Sequence, residues 1–543
     1  MLKSFRLPAL ALLAIASLPA IAQTPEQLDR LDASNRLSCT SIIVGRKASA
    51  DGSTMTSHTC DGNYRTWMDI VRGQRFDRDT TLAVVKGRMH TDHSRGARGM
   101  KEAGLVAQPA GQTYSFLNTA YPCLNEHQLG MGETTITGRR ELQNPEGLFL
   151  IEELQRIALQ RCTTAREAIQ LMGDLATEYG YGDGGECLTI IDPKETWHFE
   201  IFGEGPDKKG AVWAAVRIPD DEVGVSANIP RISKLDLKDK DNYMASANVY
   251  DVAKRMGWWD GKEPFKFWKA YSGGNYLREP KSFSFREYYV LNSLAPSLGL
   301  SFDAEELPLS VKPDKPVTLE MVNELLASTY ENAPEWNPVA GLKVPVRNPK
   351  TNTTDTVVSP YANPWMTTDM RRLLNAMAGS DVVPNTRTIA VPQCSYSTII
   401  QARDWLPDAV GGVAWVSFDN PGQSPRIPVF AGISKVPDSW EIDCQLRYDP
   451  SAAAWPFRQA NKLATVKWGA TKAGHDAARL HFIKKGLTEM PFVEAEYNRI
   501  LKADGPEAAQ AFLTDYTADF SGAATAKWDE LTRRYWAQFA RAF

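Results

Sequence analysis

The stretch from Cys39 to Asn63, "CTSIIVGRKASADGSTMTSHTCDGN", constrains the fold more tightly than any other part of the chain. "CTSIIVG" (Cys39–Gly45) is β-branched and apolar, the pattern of a buried strand. "SADGS" (Ser49–Ser53) carries an Asp-Gly turn signal, and "TMTSH" continues as a second strand. The expectation is a hairpin whose first residue is Cys39. A polar lead-in, "QTPEQLDRLDASNRLS" over residues 23–38, stops at that cysteine.

What precedes the lead-in points to export. "MLKSFR" is a short basic segment, Leu7 to Leu18 is apolar apart from Pro8 and Ser17, and "AIA" at Ala20–Ala22 supplies the small residues of a signal-peptidase site. The apolar run is shorter than the roughly 20 residues a bilayer span takes. Residues 1–22 therefore read as a cleaved signal and 23–38 as a propeptide, with a periplasmic or secreted mature protein and no membrane helix. A formal net charge of −4 leaves no footprint for nucleic acid.

Seven cysteines (Cys39, Cys60, Cys123, Cys162, Cys187, Cys394 and Cys444) are an odd number, so at least one thiol stays unpaired in an oxidising compartment. The chain has no C-x-x-C, no G-x-S-x-G and no H-E-x-x-H, which removes zinc-ribbon, serine-hydrolase and zincin readings. His90 and His93 in "HTDH" lack further ligands in metal-binding spacing, and "GYGDGG" (180–185) reads as a flexible turn outside any dinucleotide-binding order. No metal and no organic cofactor is expected.

Further along, "PEGLFLIEELQRIALQRC" places Leu148, Ile151, Leu154 and Ala158 on one helical face. "TAREAIQLMGDLATEYG" opens with Thr164 and Glu167 in capping-box spacing and closes on Gly180. Strand-like runs follow in "CLTIID", "TWHFEIF", "AVWAAVRI" and "EVGVSANI". Residues 303–364 read as an insertion or extended crossing containing one helix, "TLEMVNELLASTY". Strands return in "TIAVPQCSYSTIIQAR" and "GGVAWVSFD", and residues 451–543 read as amphipathic helices. Strands, helices and strands again predict sheets packed together and covered by helices.

Cys39 has four competing explanations. A lipid anchor needs an aliphatic residue three positions earlier, where this chain has Arg36, and an apolar core running up to the cysteine. A disulfide and a buried filler stay open, although neither accounts for a hairpin beginning at the cysteine. The fourth is an N-terminal nucleophile. Cleavage between Ser38 and Cys39 would place a thiol (ordinary pKa ~8.5) and an α-amine (~7.7–8.0) on one residue, so that the amine can take the thiol proton.

"CTSIIVGRKASADGSTMTSHTCDGNY" resembles the amino-terminal signature of the dipeptidase A family of cysteine-type N-terminal-nucleophile hydrolases, relatives of penicillin V acylase and the bile salt hydrolases. The resemblance extends through "LNEHQLGMGETT" (124–135), "GYGDGGECLTIIDPKETWHFEIFGEG" (180–205) and "VWAAVRIPDDEVGVSANIPRI" (212–232), and returns at "TIAVPQCSYSTIIQAR" and "GGVAWVSF". It implies an α+β fold, an αββα four-layer sandwich over residues 39–450 with insertions, followed by a C-terminal helical region over 451–543. It implies Cys39 as the nucleophile, Asp61 as the aspartate orienting the amine and thiol, and Asn228 as an oxyanion donor. Arg286 is its candidate downstream arginine, with Arg278 as rival. His58 stands where the acylases have an arginine, and the second oxyanion donor falls at Thr134–Thr135. The implied activity is hydrolysis of unblocked dipeptides through a thioester. Glu133 and Glu186 are the carboxylates available to meet a substrate α-ammonium. An amidase removing an acyl group and a non-catalytic exported binding protein are the alternatives, and the oligomeric state, a homo-oligomer included, is left open.

Overall fold

In a computed structural model of the chain, which describes residues 39–90, 100–206, 208–272, 281–445 and 447–541, the expected hairpin forms. Its strands are Ser41–Val44 and Thr54–Asp61, paired through Ile43 with Thr56 and Val44 with Met55. The turn between them uses Gly52 at φ +88°, a conformation that favours glycine. The first strand starts at Ser41 and not at Cys39. The Cys39 carbonyl accepts from Arg286 (2.7 Å) and the Thr40 N–H donates to Thr59 Oγ1 (2.9 Å), so side chains take these groups away from the ladder. The signal and propeptide segments lie outside the described residues, as do Arg278 and His93.

The hairpin sits near the middle of a seven-stranded sheet. Its order is Ser310–Val311, Val223–Ser226, Ser41–Val44, Thr54–Asp61, Cys394–Ala402, Val413–Phe418 and Ile427–Phe430. A second sheet has eight strands, including Gly130–Thr135, Glu186–Ile191, Thr196–Gly203 and Ala211–Ile218. Every pairing between these strands is antiparallel. The sheets meet through a polar seam: Thr56 Oγ1 bonds Thr189 Oγ1 at 2.6 Å, and Ser41 Oγ bonds the same hydroxyl. Gly132 allows the close approach, because a Cβ there would collide with the Ser57 carbonyl. Strands so enclosed are buried along their whole length, as "SIIV" and "ECLTII" are, the second taking Glu186 inside with it.

Helices cover the sheets. Ala165–Tyr179 has the predicted capping box between Thr164 and Glu167 and ends at Gly180 (φ +89°). The preceding helix begins only at Ile151: Leu148 lies outside it, because Phe149 pairs with Tyr181 in a short bridge. The chain ends in three helices, Ala454–Thr465, Trp468–Asp504 and Pro506–Gln538. The last reaches the first sheet, where Thr517 Oγ1 donates to the Pro428 carbonyl (3.1 Å). The architecture is therefore mixed α+β with antiparallel sheets and C-terminal helices.

Two readings are corrected. Residues 303–364 are not all peripheral: Val311 extends the first sheet, and Val317, Val322, Leu326 and Tyr330 are buried in the core. Their apolar spacing closes the sheet edge despite the proline-rich composition around it. "GYGDGG" is no loose turn either, since Tyr181 is fully buried by its bridge to Phe149.

Candidate active site

Cys39 is completely buried, and the backbone around it is held by one cation. Arg286, in the first turn of the helix Phe285–Leu294, donates to the Cys39 carbonyl (2.7 Å), Thr40 Oγ1 (3.1 Å), the Ala227 carbonyl (3.0 Å) and Asn228 Oδ1 (2.7 Å). The helix start is fixed by a capping box, Ser284 with Glu287, and Glu287 Oε1 also accepts from the Ala227 N–H (2.9 Å). Burial, and next the neighbouring Arg387, lower the Arg286 pKa to about 10, which leaves it charged at neutral pH. The candidate arginine of the sequence is thus brought directly onto the cysteine.

Arg286 also sets the orientation of Asn228. A guanidinium only donates, so the amide oxygen faces it and the Nδ2 group points the other way, donating to the Thr135 carbonyl at 2.6 Å. Asn228 holds a positive φ of 69°, an uncommon conformation that asparagine tolerates better than most residues. The strand before it ends at Ser226, whose hydroxyl bonds Thr134 Oγ1. Thr134 and Thr135 thus brace this corner of the site.

Asp61 ends the second hairpin strand. Its Oδ2 accepts from Thr59 Oγ1 (2.9 Å) and Arg387 Nη2 (2.7 Å), while its buried Oδ1 has no hydrogen-bond partner among the described residues. Thr59 links it to the residue after Cys39, since Thr59 Oγ1 also accepts the Thr40 N–H. Arg387 was not legible beforehand: it sits ahead of the Cys394–Ala402 strand with no local pattern to mark it.

On the other side of the thiol stand carboxylates. Glu133 Oε2 lies 3.7 Å from Cys39 Sγ, and Glu186 stands close to Glu133 on the neighbouring strand. Both glutamates are buried and stand diagonally across adjacent strands, Glu186 pairing with Thr135. Burial raises both pKa values. The neighbouring charge of Glu133 pushes Glu186 higher still.

His58 completes the wall. Its Nδ1 lies 2.6 Å from the Glu133 carbonyl, its ring is flanked by Tyr121 and Tyr396, and Nε2 has no partner among the described residues. Burial lowers its pKa to about 4. The unfolded chain therefore takes this proton near pH 6.5 and the folded chain only near 4, so stability is lost as pH falls across that window. Relative to His58→Gln, the wild type should lose about 2 kcal/mol more stability between pH 7 and pH 5, read from melts of both chains. Identical pH profiles for the two chains would contradict a neutral buried imidazole.

Cys39, His58 and Glu133 each place a ligand atom within 4.8 Å of the others, a donor set that suits zinc. Elsewhere, His90 is occupied with the Asn63 carbonyl (2.8 Å) and stacks on Tyr64. None of the seven cysteines forms a disulfide, and all are buried. Among the described residues no helix is long and apolar enough to cross a membrane.

Comparison with known proteins adds a family. The pattern of Peptidase family C69 matches residues 38–480, beginning one residue before Cys39. A "Probable dipeptidase" of Latilactobacillus sakei is 25% identical over 427 residues, covering 76% of this chain and 77% of its own. A "Probable dipeptidase B" of Lactococcus lactis subsp. lactis (strain IL1403) is 26% identical, covering 77% and 79%. "Dipeptidase A" of Lactobacillus helveticus is 21% identical, covering 86% and 89%.

Proposed function

Since the chain belongs to peptidase family C69 and is a hydrolase, we propose that it is an exported cysteine-type dipeptidase acting through Cys39 as an amino-terminal nucleophile. The observation that carries this is the setting of one buried cysteine, whose thiol faces Glu133 and whose carbonyl is held by the same Arg286 that orients Asn228. The paired sheets covered by helices are compatible with the αββα sandwich of N-terminal-nucleophile hydrolases, and residues 1–22 supply the export signal.

In this reading, loss of residues 1–38 leaves an α-amine on Cys39, and the buried Asp61 Oδ1 is the acceptor that would orient it. The amine takes the thiol proton as Sγ attacks the scissile carbonyl. The second N–H of Asn228 Nδ2 stabilises the resulting oxyanion, its direction fixed by the Arg286 bond to Oδ1. The amine then protonates the departing amino group, leaving a thioester that water hydrolyses. Glu133, ionised when substrate is bound, pairs with the substrate α-ammonium.

Asn228→Gly keeps the positive φ but deletes the donor. It should lower kcat about 100-fold or more while KM changes little. Steady-state kinetics on a free dipeptide decides this, and a wild-type kcat would remove Asn228 from the oxyanion site.

The substrate class is tested with a parallel panel of free dipeptides, N-acetyl dipeptides, penicillin V and glycine-conjugated bile acids. Fastest turnover of free dipeptides is expected, and faster turnover of the blocked or conjugated compounds would favour an amidase. The Cys39–His58–Glu133 donor set favours one further reading, a metallopeptidase. Undiminished activity in EDTA is expected, whereas loss to EDTA with recovery on adding zinc would move the assignment there.

A further inference from the structure

The acidic wall continues past Glu133 and Glu186. Glu152, in the first turn of the helix Ile151–Arg161, is fully buried, and neither of its carboxyl oxygens has a hydrogen-bond partner among the described residues. The Tyr181 hydroxyl is likewise buried and without a partner there. The carboxyls of Asp183, Glu186, Glu152 and Glu133 all lie within its electrostatic reach. Glu186 Oε2 is a third such buried acceptor. Asp183 is partly exposed. The groups link by geometry: Glu133 lies 3.7 Å from Cys39 Sγ, Glu186 stands diagonally across on the next strand, Tyr181 and Asp183 lead into that strand, and the Phe149–Tyr181 bridge brings in the helix that carries Glu152.

The cations near this wall each hold another partner as well. Arg88 acts on Glu152 but is bonded to Glu153 (2.6 Å), which also holds Arg156 (2.6 Å). Lys86 acts on both Asp183 and Glu152 while also donating to the Pro145 carbonyl (2.9 Å), and His90, which acts on Asp183, is on Asn63. A substrate α-ammonium satisfies the Glu133 end alone. An apolar side chain lying along the remainder would leave Glu152 and Tyr181 without partners, which polar sites reject strongly.

We propose that the acyl side of the site accepts a cationic amino-terminal side chain, so that the enzyme prefers dipeptides of the form Lys-Xaa or Orn-Xaa. This rests on the dipeptidase reading. The lysine ammonium is a compact charge with three donors on a flexible four-carbon stem, suited to reaching several acceptors past the α-carbon.

The test compares Lys-Ala with norleucyl-Ala, which has a similar stem without the ammonium, and with Ala-Ala. A kcat/KM for Lys-Ala at least tenfold above that for norleucyl-Ala is expected, and Glu152→Gln should lower that ratio at least threefold. Equal or inverted rates on the wild-type enzyme overturn the proposal without any variant, even if Ala-Ala is cleaved well and the dipeptidase reading stands. Should no free dipeptide be cleaved, that reading fails instead. Calorimetric binding of the same dipeptides to Cys39→Ala then decides the subsite, with equal affinity for Lys-Ala and norleucyl-Ala overturning it.

Discussion

Cys39→Ala should lower kcat/KM for free dipeptides by about 10^4-fold or more while leaving the folded protein intact. The size follows from the role: without the Cys39 thiol no thioester can form beside Arg286 and Asn228. The fold should tolerate the change because replacing a buried thiol by a methyl group leaves a small cavity and no stranded charge. The four Arg286 bonds go to the Cys39 carbonyl, Thr40, Ala227 and Asn228, none of which alanine removes. Thiol alkylation of the wild type should reproduce the loss. Circular dichroism and melting temperature near wild type, together with lost turnover, are the expected pair of results. Retained turnover would place the chemistry on another group.

Glu133→Gln should lower kcat/KM for free dipeptides about 100-fold or more and leave N-acetyl dipeptides within a few-fold of wild type. The argument is one of compensation. A buried carboxylate is costly without a cation, and a substrate α-ammonium supplies one, whereas an acetylated terminus leaves it unmatched. Glutamine is close in volume, so the pocket keeps its shape and loses the charge. Glu133 also stands 3.7 Å from Cys39 Sγ, which gives a second role to exclude. If it acted chiefly on the thiol, both substrate classes would slow alike. Parallel kinetics on Ala-Ala and N-acetyl-Ala-Ala separate the two, and an equal loss on both would contradict ammonium recognition.

Much of this site was legible because it lies on strong local patterns. The Asp-Gly turn between two apolar runs predicts the hairpin, and the hairpin carries Cys39 and Asp61 to one sheet. The Thr164–Glu167 capping box likewise announces its helix. Residues that act only across long sequence separations were less visible. Arg286 carried no local reason to prefer it over Arg278, and its four bonds span the fold. Arg387 meets Asp61 from 326 residues away. Glu152 reads as an ordinary polar position on an amphipathic helix, yet it is buried because the extended Phe149–Tyr181 bridge turns that end of the helix inward. Helical periodicity has no term for such a neighbour. The edge strand at Ser310–Val311 was hidden in the same way, by proline-rich flanks around two residues that pair with Val223 and Gly224.

The amino terminus of the active protein tests the central claim most directly. If Cys39 supplies both nucleophile and base, the mature enzyme must begin there, having lost the signal and residues 23–38 by cleavage after Ser38. Intact mass and amino-terminal sequencing of a fully active preparation should give a chain starting at Cys39, with unprocessed protein inactive. A fully active enzyme that still begins at Gln23 would contradict the mechanism, because its Cys39 would have no α-amine to offer.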